Sequence, residues 1–445
     1  MYSLGLPRRP RFEPAAALYA ESTSMGGLMR FSSGISRHPQ TAQAVAEAAQ
    51  AALPGLDGAE PDLVLLFATP HHSAQFQELP LTIASHFPRA LLLGCSGGGV
   101  VGQSTEVEHS AGISLTLASL PGVDLRPFHI EDGDVPEPER AATVWRQRLG
   151  LPLRVAGAAL EQPTPVVVLP EPFSVRIERL LRSLDAAFPD SVKVGGAASG
   201  GTRPGSHALW LGPRLFKNGA VGVALRGAIA LDAVVAQGCK PVGAPMLVTR
   251  SQGNVILEVD GKSPLQALKA MAADLSADDL ELARRAVLVG IEMEPDRVDY
   301  GHGDFLVRQI AEVDHNTGSL SLSSLVQPWQ VVQFHVRDGR TSAADLRRML
   351  ERYRAQQTEG SPQGALLFSC LGRGEGLYGK PNHDSQLFEA LLPGVPLGGF
   401  FCNGEIGKAG KTTALHGFTA SIALFRDPSE STTSPQWQVR DSAEA

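Results

Sequence analysis

The sequence predicts an α/β protein of two modules, with mixed β-sheets flanked by helices. Short and wholly apolar segments, such as residues 63–67 (LVLLF), are typical of strands buried on both faces of a helix-covered sheet. Segments of helical character alternate with such strands, which favours α/β architecture. A unit of strand, helix, strand, glycine loop and strand recurs along the chain, so we expect the sheets to be built from related units.

The first helix is predicted over residues 39–53, an alanine-rich segment. Pro39 stands at its first position and Pro54 follows its end, and both are recognised helix start and stop signals. Further helices are predicted within PLQALKAMAADL and SAADLRRMLERYRAQQ, and further strands within NVILEVDG, SLSLSSLV and WQVVQFHVRDG.

Three copies of the repeated unit are visible in the sequence. In each copy a glycine stands six residues after a proline, and the pairs are Pro88 with Gly94, Pro189 with Gly195, and Pro393 with Gly399. In the first and third copies a histidine also precedes a strand serine by five residues, as in His109 with Ser114 and His416 with Ser421. This recurrence predicts duplicated lobes related by approximate symmetry.

The module boundary is predicted near residue 240. Two prolines in KPVGAPM interrupt the chain there, after the second copy of the unit. We therefore predict an N-terminal module over residues 28–240 and a C-terminal module over residues 241–426. The polar residues 427–445 are expected to form a disordered tail.

The composition excludes several classes of function. The chain has 445 residues, and its 43% hydrophobic residues suffice for a large core. The 39 basic and 46 acidic residues give a net charge of −7 without a dense basic run, so nucleic acid is not expected as a partner. No apolar stretch reaches the roughly 18 residues of a membrane span, so no membrane insertion is expected. The four cysteines show no paired spacing and the N-terminus shows no signal peptide, which together favour a cytoplasmic protein.

Two glycine motifs resemble cofactor sites but lack the required context. Gly97, Gly99 and Gly102 fit the dinucleotide pattern, yet a strand follows them where a helix would have to receive the pyrophosphate. Gly410 begins a G-K-T triplet like the end of a phosphate-binding loop, but this segment also runs into a strand. Spacings typical of metal ligands are missing from the sequence as well. We therefore expect neither a cofactor nor a metal.

Charged residues inside glycine loops are the best candidates for a ligand site. Arg373 follows the apolar strand ALLFSC, and Asn403 and Glu405 follow the strand GGFFC. In open α/β sheets ligands bind at the carboxyl ends of strands, where glycine loops also expose amide N–H groups. A guanidinium grips a carboxylate and a carboxylate accepts from an ammonium, so a zwitterion such as an amino acid would fit. The predicted ligand-binding residues are Ser96, Gly97, Arg373, Asn403, Gly404 and Glu405.

Two other interpretations of these loops stay open. Arg373 and Glu405 could pair with each other to hold the loops, because buried charges are normally paired. Alternatively, Cys370, Cys402 or Cys95 could be the nucleophile of a cysteine-dependent hydrolase or transferase. Buried cysteines are usually packing residues, however, and no neighbouring base can be assigned from the sequence.

The chain resembles FIST-domain proteins over residues 28–425. The FIST N-terminal region is similar to the segments FSSGISRHPQTAQAV, LLLGCSGGGVVG, VKVGGAASGG and FKNGAVGVAL. The FIST C-terminal region is similar to VTRSQGNVILEVDGKSPLQALKA, GDFLVRQIAEVDHNTGSLSL, VQFHVRDGRTSAADL, ALLFSCLGRG and, above all, GGFFCNGEIG followed by HGFTASIALF. The combination across the whole chain is specific, whereas a single segment would not be.

The resemblance implies an intracellular sensory protein that binds small ligands, amino acids among them, and feeds signal transduction. Members of the family are often fused to methyl-accepting, kinase or cyclase modules or to an F-box. Only short segments lie outside residues 28–425, so we expect a stand-alone protein that signals through a protein partner. The family supplies no catalytic residue to carry over, and we expect no enzyme. A scaffold that binds partners without a ligand is the remaining alternative.

Overall fold

The computed structural model describes residues 27–152, 162–295, 297, 299–357 and 360–428. Within these residues the strands form three six-stranded sheets and one closed six-stranded barrel. Each sheet contains one parallel strand pair with antiparallel neighbours, and helices cover the sheets. The predicted α/β class with mixed sheets is therefore confirmed. Of the predicted tail, residues 429–445 lie outside the described part of the chain.

The first unit supplies most of sheet 1. Its elements are β1 (Arg30–Ser36), α1 (Thr41–Ala52), β2 (Leu63–Ala68), α2 (Leu79–His86), β3 (Leu91–Ser96), β4 (Gly99–Gly102), β5 (Thr105–Glu108) and β6 (Ile113–Ser119). The helix predicted over residues 39–53 is α1. The glycine motif that resembled a dinucleotide site leads into β4 and β5, which form a hairpin.

The second unit supplies most of sheet 2 and repeats the same order of elements. They are β7 (Val123–Ile130), α3 (Pro138–Arg148), β8 (Val166–Pro170), α4 (Ile177–Ala187), β9 (Lys193–Gly196), β10 (Leu209–Leu211), β11 (Arg214–Phe216) and β12 (Ala220–Gly227).

The third unit carries a barrel as an insertion after its first strand, β13 (Ala230–Gln237). The barrel consists of β14 (Cys239–Gln252), β15 (Val255–Val259), α5 (Pro264–Ala273), α6 (Ala277–Arg285), β16 (Val287–Glu292), β17 (Phe305–Val313), β18 (Leu320–Leu322) and β19 (Val331–Arg337). Its first and last residues, Cys239 and Arg337, are direct partners in the β14–β19 ladder. The two ends of the insertion therefore meet.

The remainder of the third unit builds sheet 3 in the familiar order. Its elements are α7 (Gly339–Gln356), β20 (Gly364–Cys370), α8 (Glu375–Tyr378), α9 (His383–Leu391), β21 (Leu397–Cys402), β22 (Glu405–Ala409), β23 (Thr412–His416) and β24 (Thr419–Arg426). The G-K-T triplet at Gly410 is the turn of the β22–β23 hairpin.

The three units exchange their hairpins in a cycle. Sheet 1 has the strand order β1-β6-β2-β3-β10-β11, so the hairpin of the second unit completes it. Sheet 2 has the order β7-β12-β8-β9-β22-β23, and sheet 3 has the order β13-β24-β20-β21-β4-β5. Each unit thus completes the sheet of another unit, and the strands of both predicted modules share sheets.

Successive side chains of the central strands point to opposite faces of the sheet, and both faces are buried, which explains why these strands are wholly apolar. On β2, Leu65 and Phe67 face one core cluster, whereas Val64 and Leu66 face another, which includes α1 and α2. The first cluster also takes residues from sheets 2 and 3, so the inner faces of all three sheets meet there. The rings of Phe67 and Phe400 stack at its centre, with centroids 4.7 Å apart. Burial on both faces favours the continuous apolar runs that predicted these strands.

The repeated glycine has one physical cause in all three units. A Cβ atom on Gly94 would lie 2.0 Å from the carbonyl oxygen of Leu66 on the neighbouring parallel strand. The corresponding distances are 1.8 Å for Gly195 and 2.0 Å for Gly399. Real Cβ atoms do not approach this closely, so each unit needs glycine here.

The repeated serine also has a shared role. Ser114 Oγ donates to the carbonyl oxygen of Val101 at 2.6 Å, and Ser421 Oγ donates to that of Ile406 at 2.9 Å. In both units the serine therefore ties the last strand to the hairpin of its own unit.

None of the helices in the described part of the chain combines the length and the apolar character that crossing a bilayer requires.

Candidate functional site

The carboxyl ends of the central strands of all three sheets meet at one junction. The backbone N–H of Ser199 donates to the carbonyl oxygen of Ser96 at 3.0 Å, which joins the second unit to the first. The N–H of Gly98 donates to the carbonyl oxygen of Phe401 at 3.2 Å, which joins the first unit to the third. The N–H of Asn403 donates to the carbonyl oxygen of Ala197 at 3.1 Å and closes the ring. The loops that follow these strands therefore meet at one junction of the three units.

The amides at this junction are already paired with protein groups. The N–H of Gly97 donates to the carbonyl oxygen of Ala68 at 3.0 Å, and Ser96 Oγ accepts from the N–H of Ala208 at 3.1 Å. The carbonyl oxygen of Gly404 accepts from Ala197 at 2.9 Å. The expectation that these loops present free amides to a ligand is wrong for Gly97 and Asn403, because the Gly97 donor is used within sheet 1 and the Asn403 donor joins the third unit to the second.

Arg373 is fully buried and pairs with a carboxylate that the sequence had not indicated. Its Nε and Nη2 atoms donate to the two carboxylate oxygens of Asp384 at 2.7 and 3.1 Å. The alternative that Arg373 pairs with Glu405 is therefore wrong. Burial alone would lower the pKa of Arg373, but the attraction of Asp384 outweighs it and raises that pKa. The third nitrogen, Nη1, is buried without a hydrogen-bond partner among the described residues.

Glu405 is fully buried at the start of β22. Its Oε2 accepts from the Thr419 N–H at 3.0 Å and from the Thr419 hydroxyl at 2.7 Å, and its Oε1 accepts from Cys402 Sγ at 3.4 Å. Burial raises the pKa of Glu405 to about 7, although these hydrogen bonds and the charge of Arg373 oppose the rise. Both carboxyl oxygens are occupied by groups of its own unit.

The four cysteines have pKa values above the ordinary range. Burial raises the pKa of Cys95 and Cys402, and that of Cys239 to about 12. Burial and the nearby charge of Glu405 raise the pKa of Cys370, although Arg337 and two backbone N–H groups oppose this. Cys370 and Cys402 are direct partners in the β20–β21 ladder, and only Cys370 is half-buried, the other three being buried. These surroundings disfavour a thiolate.

Arg337 is a candidate that sequence reasoning missed. It ends β19, is half-buried, and lies over the Phe418 ring with its guanidinium carbon 5.0 Å from the ring centre. Its Nη2 is buried without a hydrogen-bond partner in the described part of the chain. A Cβ on Gly372 would lie 3.1 Å from that nitrogen, so glycine leaves room for it. The sequence signal was the R-D-G triplet before α7, where Asp338 caps the helix and Arg337 points elsewhere.

Two guanidinium nitrogens that lack partners among the described residues lie near one backbone contact. The N–H of Gly238 donates to the carbonyl oxygen of Phe418 at 3.0 Å. A Cβ on Gly238 would lie 3.3 Å from Arg373 Nη1, and the Phe418 ring carries Arg337. The side chain of Cys370 and the exposed residues Leu371 and Gly372 lie at the same place. We call this group of Arg337, Arg373, Cys370, Gly372 and Phe418 the guanidinium cluster.

Family comparison covers most of the chain. The FIST N domain matches residues 62–262, and the FIST C domain matches residues 267–408. The chain belongs to the FIST family. FIST domains are associated with sensory signal transduction. Arg337, Arg373 and Glu405 all fall within the FIST C match.

Several curated proteins are similar to this FIST chain. An uncharacterized protein of Mycobacterium tuberculosis strain H37Rv is 36% identical over 401 residues, which is 90% of this chain and 100% of that protein. An uncharacterized protein of Mycobacterium bovis is 33% identical over 404 residues, which is 90% of this chain and 100% of that protein. An F-box/LRR-repeat protein of Arabidopsis thaliana is 34% identical over 65 residues, which is 15% of this chain and 12% of that protein.

Among solved structures, the chain is similar to cyanuric acid hydrolase from A. caulinodans. The TM-score is 0.31 and the identity is 11%, over 90% of this FIST chain and 99% of that chain.

Proposed function

We propose that this FIST protein binds a small metabolite with a carboxylate or comparable anionic group, amino acids among them, and passes the bound state to a signalling partner. The guanidinium cluster is the binding site. Arg337 provides the observation that carries the proposal: a half-buried guanidinium, held over an aromatic ring, with a buried nitrogen that lacks a partner among the described residues. Buried donors in native proteins are nearly always paired, so an unpaired one favours an absent acceptor.

The chemistry of the cluster favours an anion. Arg337 can present a planar pair of donors to a carboxylate, which is the geometry that guanidinium groups recognise. Arg373 cannot do this, because Asp384 already occupies two of its nitrogens. Its remaining nitrogen, Nη1, is a further donor that lacks a partner among the described residues. Glu405 does not contact the ligand in this proposal, since its oxygens are bound to Thr419 and Cys402.

The second part of the proposal concerns where the protein acts and what receives its signal. We propose that the protein acts in the cytoplasm and that a separate protein receives the signal. The position of the guanidinium cluster supports such coupling, because Arg337 belongs to the barrel whereas Arg373 belongs to the third unit. A ligand held by both would report on the contact between these two parts.

We also propose that the chain is not an enzyme. The raised pKa of every cysteine argues against the cysteine-dependent hydrolase or transferase, because the thiolate is the nucleophilic form and is scarce at neutral pH.

The test is a thermal-shift and calorimetric screen of amino acids and small dicarboxylates against the whole chain. Ligand at about 100 times its dissociation constant should stabilise the protein by about 2.7 kcal/mol. The variant Arg337→Gln should weaken binding at least about tenfold, because it removes charge-assisted hydrogen bonds. Arg340→Gln is the matched control, since the Arg340 side chain is 81% exposed and lies only three residues away.

Two results would contradict the proposal. One is a ligand whose affinity is equal in the wild type and in Arg337→Gln. The other is a screen in which Arg340→Gln weakens binding as much as Arg337→Gln does, which would indicate general electrostatics. Arg373→Ala is unsuitable here, because leaving the buried Asp384 carboxylate without its guanidinium partner should cost about 3–5 kcal/mol of stability.

A further inference from the structure

The barrel contains a cavity that the proposed function does not use. It lies where β14 breaks its register with β19, between the pairs formed by Val242 and Met246. Gly243 lies in this bulge with a φ of +67°, and its carbonyl oxygen accepts from Gln333 Nε2 at 2.7 Å. A Cβ on Gly243 would lie 2.7 Å from Met271 Cγ, so the bulge packs closely against α5. The opening between bulge and helix has a volume of about 310 Å³.

The walls of this cavity are mainly apolar. Met246, Met271 and Leu275 line its sides, and Phe334 of the barrel core forms its floor. The volume falls at the lower end of the range for sites that bind small organic molecules. Methionine side chains adapt to ligands of different shape and make favourable contacts with aromatic rings. An aromatic or compact aliphatic group therefore suits the interior.

The charges at the rim favour a cation. Asp260 and Asp274 border the cavity against one lysine, Lys262, and no ion pair joins either carboxylate to a described residue. Asp260 Oδ1 accepts from the N–H of Leu247, which fixes that side chain at the rim.

The position of Asp274 on α5 adds to the negative potential. It caps the carboxyl end of this helix, whose last turn holds no basic residue. A helix carries a partial negative charge at that end, so an acidic side chain there is unfavourable until a cation approaches. The next helix, α6, follows the usual rule, with Asp278 and Asp279 in its first turn and arginines in its last.

We propose that this cavity binds a small organic cation with an aromatic or compact aliphatic body and an ammonium group. The body enters between the methionines and Phe334, and the ammonium lies between Asp260 and Asp274. This site is separate from the guanidinium cluster and takes ligands of the opposite charge, so it does not rest on the proposed function.

The test uses 2-phenylethylammonium as the probe and the full chain labelled with ¹³C at the methionine methyl groups. The variants Met246→Leu and Met271→Leu assign the two signals by their loss. We expect both signals to shift saturably with the probe. Asp274→Asn should weaken binding about two- to fivefold, as expected for a solvent-exposed charge pair. Asp278→Asn, a nearby exposed acid outside the cavity, should leave the affinity unchanged.

Neutral and anionic analogues decide the charge preference. We expect 2-phenylethanol and phenylacetate to bind more weakly than the ammonium. Equal or tighter binding of either one would overturn the proposal, as would methionine signals that stay unmoved at about 10 mM probe, where even millimolar affinity would show. Signals that instead change with protein concentration, without the probe, would show that a second copy of the chain fills the cavity, and this too would overturn it.

Discussion

Glu405 shows how a single buried carboxyl group makes stability depend on pH. Its pKa in the folded chain is about 7, against an ordinary value of 4.5. Between these values the folded state binds more protons than the unfolded state, so raising the pH through this window lowers the free energy of unfolding. Below about 4.5 the contribution is fully present, and above about 7 it is lost.

We therefore predict the pH profile of Glu405→Gln relative to the wild type. As the pH rises from 4.5 to 7, the wild type should lose stability relative to the variant by on the order of 3 kcal/mol, since a pKa unit corresponds to about 1.4 kcal/mol. Urea unfolding at a series of pH values measures this difference. Taking the difference cancels His335 and His416, whose lowered pKa values of about 4 act in the opposite direction over part of the same range.

A flat difference across that range would show that Glu405 keeps an ordinary pKa. Glu106→Gln offers a second comparison, because burial and the charge of Asp384 also raise the pKa of Glu106 to about 7. The two variants should show the same sign.

For single residues, the sequence indicated which charged side chains matter but not which groups they contact. Arg373 and Glu405 stood out because each is a charge inside an apolar, glycine-rich segment. Asp384 lies on α9, the second helix after Arg373, and Thr419 lies beyond a hairpin, so neither contact follows from local spacing. Arg337 was missed because its neighbours, Gly372 and Phe418, come close only through the insertion of the barrel.

The close packing of β2 and β3 leaves no room for a side chain at Gly94. Gly94 on β3 has no positive φ, so a substitution there tests the contact with Leu66 without backbone strain. Gly94→Ala should lower the free energy of unfolding by about 3 kcal/mol, because the carbonyl oxygen of Leu66 is held within the sheet and cannot easily move away. Gly376→Ala on α8 is the control, since no atom lies within 4 Å of the added Cβ.

Chemical denaturation of both variants measures the contrast. Similar stabilities for Gly94→Ala and Gly376→Ala would show that sheet 1 relaxes around the added methyl group. Gly399 in sheet 3 does not offer the same test, because its φ of +141° would add backbone strain to the close contact with Leu367.

Sequence reasoning worked well for single elements and for their recurrence. Apolar runs and helix signals are local, and the glycine after each proline recurs because the same strand contact recurs. The exchange of hairpins was not predictable, because β4 and β5 could pair as well with their own sheet edge as with β21. Closure of the barrel is likewise a matter of long-range pairing, as between β14 and β19.

The arrangement of the whole chain separates a removable part from an indispensable one. The barrel enters and leaves at Cys239 and Arg337, which are direct partners across two antiparallel strands. Their Cα atoms are therefore about 5 Å apart, and a short linker can span that gap. The hairpin of β4 and β5, by contrast, is an integral part of sheet 3.

We predict that replacing residues 239–337 by a short Gly-Ser linker leaves a cooperatively folded protein. Replacing residues 99–108 by the same linker should prevent cooperative folding, because it exposes the edge of β21 and removes Val100 and Val107 from the shared core. Circular dichroism during thermal unfolding distinguishes the two outcomes. A barrel deletion that fails to fold while the hairpin deletion folds would reverse this assignment.

The cyclic exchange of hairpins has a consequence for how such a chain could arise. In a polypeptide that holds one unit alone, the hairpin of each copy would pair with the sheet of a second copy, and its own sheet would be completed by the hairpin of a third. This head-to-tail association closes after three copies. Such a trimer would exist only above a threshold protein concentration. Joining the copies in one polypeptide makes the association intramolecular, with an effective concentration set by the linkers, so that assembly no longer depends on how much protein the cell makes.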